Sequence, residues 1–148
     1  MRSEDVRTLQ LGPLWVLSAL VGTHTSFAEP DLAAFWDAVV SEGLRAPAEA
    51  RVLLGTLTVD RSGLLLDLEL DGRSVVSGLR DVVTVLGPEE CVGGYRRALV
   101  RIGGAVARAR GPYGRQISSE DLNRLLLVAQ LLDYSPSRAD AALSLIHI

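Results

Sequence analysis

At 148 residues the chain is long enough for one domain with a real hydrophobic core, and 48% apolar against 22% charged residues excludes a disordered polypeptide. A net charge of -3, with every one of the 15 basic residues an arginine, removes any global electrostatic case for nucleic acid or an anionic membrane. Cys91 is the single cysteine, which excludes an intrachain disulfide and a cysteine metal cage.

Residues 1–9 are expected to form a short extension ahead of a helical domain spanning residues 10–133. The run LGPLWVLSALVG (11–22) is apolar almost all round, the mark of a central buried helix, with Pro13 tolerated near its first turn. The same run has the outline of a secretion signal ending at Ala28. Glu4 and Asp5 cancel Arg2 and Arg7, however, and the polar THTS separates the apolar run from Ala28. A cytoplasmic protein is therefore the expectation, with export through residues 1–28 the alternative. No apolar run approaches the ~20 residues that a membrane-spanning helix needs.

After the connector GTHTSFAEPDL (22–32), Leu32, Phe35, Trp36, Val39 and Val40 recur at helical spacing, with Asp37, Ser41 and Glu42 on the opposite side. Pro30 with Glu29 and Asp31 suits the helix start, and Gly43 suits its stop. A shorter helix follows Pro47, packing through Ala48, Val52, Leu53 and Leu57. The turn VDRSG comes next. LDLEL alternates like a strand, but Leu65, Leu68, Val75, Leu79, Val82 and Leu86 keep a 3-4 rhythm, so two helices split near Gly72 are expected.

GPEE (87–90) reads as another helix start, with a core stripe of Val92, Tyr95, Leu99, Ile102, Val106 and Ala109. Arg97, Arg101 and Arg108 face away from it, as an ordinary solvated basic side. Gly103 and Gly104 each cost about 1 kcal/mol relative to alanine inside a helix, which implies a close helix crossing there. In ISSEDLNRLLLVAQLLD (117–133), Ser118 stands three residues before Asp121, a variant capping box, and Leu122, Leu125, Leu126, Ala129 and Leu132 form the stripe. Residues 134–142 are expected as a tail or the start of a further region. The last six, LSLIHI (143–148), match one reading frame of a common transposon adapter and are read as a library-derived scar.

Two segments share a design. LWVLSALVGTHTSFAEPDLAAFWDAV and VRIGGAVARARGPYGRQISSEDLNRLLLVAQ both run apolar helix, polar turn, apolar anchor, acidic helix start. Phe27 then matches Ile117, Asp31 matches Asp121 and Leu32 matches Leu122, as in a duplicated helical hairpin. The expected fold is all-α, a compact bundle of six to seven helices with this pseudo-repeat.

At these residues the chain resembles the TerB-like family, named for tellurite resistance, as a degenerate tandem-hairpin member. The resemblance implies a compact helical fold, an association with stress response, and, in better-matching members, acidic turns that hold a metal cation. In this chain Thr23, His24 and Thr25 replace the family's Ala-Asp-Gly, and Arg110 replaces the corresponding acid of the second copy. Metal candidates are reduced to Asp31, Asp121, Glu29 and Glu120. A hard cation wants six to eight oxygens, so at best a weak divalent-cation site is expected, and no other cofactor.

Catalytic groups are not expected. There is no G-x-S-x-G and no phosphate loop, and no motif links His24 with Cys91. The last helix is a poor DNA reader, because its exposed Glu120, Asp121, Asn123 and Gln130 carry only Arg124 as a basic neighbour. The expected function is thus a non-enzymatic binding or scaffold module. Its partners would be other proteins or further domains of the same chain, with a homodimer as one arrangement; the alternative is the weak cation site.

Overall fold

The computed structural model describes residues 1–112 and 116–134, which form seven α-helices and no strand. These are α1 (Ser3–Val21), α2 (Glu29–Arg45), α3 (Ala48–Val59), α4 (Arg61–Leu70), α5 (Val75–Leu86), α6 (Tyr95–Arg110) and α7 (Ser119–Leu131). The all-α bundle of six to seven helices is therefore what the chain forms. Beyond Tyr134, the expected tail and adapter-derived end fall outside the described residues.

The apolar run is the hub. Helices α3, α4, α5, α6 and α7 all pack on α1, and Leu9, Leu14, Trp15, Val16, Leu17 and Leu20 are wholly buried. Residues 1–9 are not an extension: α1 already begins at Ser3, with Glu4 and Asp5 complementing its dipole, and Leu9 belongs to the core. Pro13 therefore lies in mid-helix rather than in the first turn. Its missing N–H deprives the Leu9 carbonyl of an intrahelical donor. The Tyr95 hydroxyl donates to that carbonyl at 2.5 Å, from a ring that is itself fully buried. Burial also pushes the Tyr95 phenol pKa well above its ordinary range, so it stays the donor.

Tyr95→Phe should accordingly cost about 1–3 kcal/mol, because a buried carbonyl loses its only partner of this kind. In a Pro13→Ala background the restored N–H can take over, and the same substitution should cost clearly less. Urea denaturation of the four proteins of this cycle measures the difference.

The limits of α2 and α6 also differ from expectation. α2 runs through Gly43 to Arg45, and it stops because Ala46 precedes Pro47 and takes extended backbone angles. GPEE does not begin a helix; residues 87–94 turn, and α6 starts at Tyr95. The reason lies in Gly94, whose left-handed φ of 80° caps the helix while its Cα abuts Pro47. Glu90 still serves the helix start, accepting from the Arg96 N–H at 2.8 Å. Elsewhere the signals held: Gly72 falls in the α4–α5 break, and Ser118 accepts from the Asp121 N–H at 3.1 Å.

The faces are shifted more than the limits. On α3 the buried side is Ala50, Leu54 and Leu57, whereas Val52 is 70% exposed. On α7 it is Asp121, Leu125, Val128 and Leu132, with Leu126 turned out. Ala109 on α6 and Val40 on α2 are exposed, while Glu42, expected on the solvent side, is buried. Gly103 does mark a close crossing, since a Cβ there would sit 2.8 Å from Leu125 and 2.9 Å from Val16. The two repeated segments keep their order of helix, turn and helix, but they pack differently. α7 folds back on α6 and α1, whereas α2 packs on α6 and α3 instead of on α1. Phe27 and Ile117, the matched anchors, both lie half-buried against the core.

Candidate functional site

The α2 and α7 starts, matched in the repeat, meet in space. Asp31 and Asp121 both reach the guanidinium of Arg110 at the end of α6, with Arg110 Nη1 2.9 Å from Asp31 Oδ2 and Arg110 Nε 3.1 Å from Asp121 Oδ2. Burial by itself would lower the Arg110 pKa, but the hydrogen bond to Asp121 and the charges of both carboxylates raise it overall. A fixed side-chain cation therefore lies between the two carboxylates. A second arginine, Arg124, lies 3.5 Å from Asp121, holds Glu120 at 2.6 Å and donates to the Leu20 carbonyl at 2.8 Å, tying α7 to the end of α1.

Of the four metal candidates the fold thus brings Asp31 and Asp121 together. Glu120 stays 72% exposed on its own arginine, and Glu29 is exposed. No three His, Cys, Asp or Glu side chains among the described residues gather as a metal centre would require. What this arrangement does chemically is hold the two hairpins together.

The connector of α1 and α2 is fastened separately. His24 Nε2 lies 3.2 Å from the Asp71 carbonyl, and its ring packs 5.5 Å from that of Trp15. Arg73 pairs with Asp71 and Asp81, each at 2.7 Å, and its guanidinium lies 5.8 Å from the centroid of the Trp15 ring. Arg73 holds the Asp71 carboxyl below the usual carboxylate range, and Asp71 in turn raises the Arg73 pKa. An open cleft of about 470 Å³ lies between α1 and α4. Its arginines are committed, because Arg7 pairs with Asp60 at 3.1 Å and with Asp67 at 2.6 Å. His24 and Cys91 each contact a backbone carbonyl, and neither is bonded to a second catalytic type of side chain.

Glu42, placed by sequence pattern on the polar side of α2, is instead buried, and its carboxylate accepts from Arg101 Nε at 3.0 Å and ties α2 to α6. A signal for it existed: Glu42 lies three residues after Val39 and seven after Phe35, which is the buried side of α2. The exposed apolar side chains are the other feature. Among the described residues, apart from Met1, Leu126 and Leu127, all the exposed large hydrophobics lie between Val40 and Val76. Val40 and Leu44 share one side of α2, Val52 and Val59 one side of α3, and Leu66 and Leu70 one side of α4.

No family model, no curated protein and no solved structure matches this chain. No helix among the described residues is long and apolar enough to cross a membrane.

Proposed function

We propose that this chain is a non-enzymatic helical binding module, of TerB-like kind, that docks another protein through the outer faces of α2, α3 and α4. The observation that supports this reading is the concentration of exposed apolar side chains there, with Leu44 78%, Val59 87% and Leu70 75% exposed. Scattered exposed aliphatic residues need no explanation, but apolar pairs repeated on three consecutive helices are a feature of interaction surfaces. Covering each such side chain contributes about 1.5–3 kcal/mol, so a few of them suffice for a stable contact. The resemblance supports a role in stress response, and the cancelled charges of Arg2 and Arg7 ahead of the apolar run support a cytoplasmic location, with another protein or a further domain of the same chain as the partner. Neither the sequence pattern nor the surface charge favours nucleic acid. The divalent-cation alternative has no observation of its own, because Arg110 already spans Asp31 and Asp121.

The test is a Val52→Asp, Val59→Asp double variant, compared with the parent in affinity purification and in size-exclusion chromatography with light scattering. The expected result is a partner or a second copy held by the parent and lost by the variant, at equal melting temperature. A parent that stays monomeric at high concentration and retains nothing overturns the reading.

A further inference from the structure

A small recess opens where the end of α2, the start of α3 and the start of α6 meet. Its volume is about 190 Å³, and Arg45, Arg97 and Arg101 line it together with Glu42, Pro47 and Gly94. The floor is rigid, because a Cβ on Gly94 would lie 2.8 Å from Pro47, leaving backbone against ring. Its charged lining is three arginines and one glutamate. Glu42 answers only for Arg101, at 3.0 Å, and among the described residues neither Arg45 nor Arg97 has an ion-pair partner.

Arg45 has an ordinary explanation, since a cation in the last turn of α2 complements the helix dipole. Arg97 has none. It lies in the first turn of α6, the positive end of a 16-residue helix with no acidic residue in that turn. It is also four residues from Arg101, a like-charge spacing that destabilises a helix. The other nearby acids do not pair with these arginines: Glu90 accepts from the Arg96 N–H, and Glu49 from the Gly93 N–H at 3.4 Å. An anion in the recess would relieve both conflicts at once.

We propose that this recess binds a small phosphate-bearing anion, inorganic phosphate or a phosphomonoester. Two uncompensated arginines match the roughly -1.5 to -2 charge of a phosphomonoester, and planar guanidinium forks suit its oxygens. The recess is smaller than the ~300 Å³ at which pockets for drug-sized ligands begin, so it takes a phosphate group with at most a small substituent. The inference is independent of the apolar docking face.

Side-chain Nε–Hε spectra of the arginines, followed during titration with inorganic phosphate and separately with phosphoserine at constant ionic strength, test it. Saturable shifts at Arg45, Arg97 and Arg101 are expected with at least one probe, and the probe that saturates identifies the source. Arg97→Gln should weaken that binding by about tenfold or more. Without phosphate the same variant should leave the melting temperature unchanged or higher, because it removes a like-charge conflict. Shifts that never saturate and are shared by Arg2 and Arg61, which lie outside the recess, or full affinity in Arg97→Gln, overturn the proposal.

Discussion

Gly78→Ala should destabilise the protein by about 1–3 kcal/mol, against the direction that helix propensity predicts. Gly78 is buried in α5, the helix that packs most extensively on α1, and a Cβ built there would clash with the Cε2, Cδ2 and Nε1 atoms of the Trp15 indole. Trp15 is wholly buried, with Arg73 and His24 against its ring, so it has little room to withdraw. The same substitution at Gly55 should have the opposite sign. Gly55 lies inside α3 with nothing within 4 Å of a Cβ, so alanine there should stabilise by about 0.5–1 kcal/mol. Thermal melts of both variants read the contrast, at about 2–4 °C per kcal/mol for a chain of this size. Equal and positive effects at the two glycines would mean that α5 does not approach Trp15 as described.

Removing the cation between the paired helix starts should cost a comparable amount. Arg110→Ala leaves Asp31 and Asp121 facing each other, with side chains only 19% and 7% exposed. Breaking a fully buried ion pair costs about 3–5 kcal/mol; the partial exposure of Arg110 and Asp31 reduces the expected loss to about 2–4 kcal/mol. Arg124 remains close to Asp121 and keeps part of the compensation. The loss should shrink when Asp31→Asn is added, because the repulsion then disappears. Denaturant unfolding of the parent, the single variants and the double variant measures that coupling. A fully additive cycle would show that Arg110 acts on the two carboxylates independently and does not bridge them.

Helix existence was legible along the chain because periodicity, Pro30, Pro47, Gly72 and the Ser118 cap are local signals, and local backbone chemistry acts on them directly. Helix faces were less legible for a reason visible in α3. Its twelve residues carry two interleaved apolar stripes, Ala50–Leu54–Leu57 and Ala48–Val52–Val59, and periodicity is satisfied by either. Which stripe is buried depends on where α2 and α4 lie, and that is not written within the helix. The same ambiguity put Val40 and Leu126 on the wrong side.

The candidate site shows the division most clearly. The repeat matched Asp31 with Asp121, and the fold does bring them together, because both begin helices that return to the shared α1–α6 layer. The identity of what lies between them came only from the tertiary structure. Arg110 is a helix-end residue 79 positions from Asp31, and no sequence spacing announces such a pair. Glu42 and Arg101, 59 residues apart, are the same case, as are Tyr95 and the carbonyl freed by Pro13, 86 residues apart. Six to seven helical segments, their central apolar member and the acidic starts of α2 and α7 are readable in the chain, all consequences of local propensity and period. Packing of the helices sets which faces are buried, which carboxylates receive an arginine and which arginines come to line a recess. Those outcomes depend on desolvation and charge pairing between groups that meet only once the helices have packed.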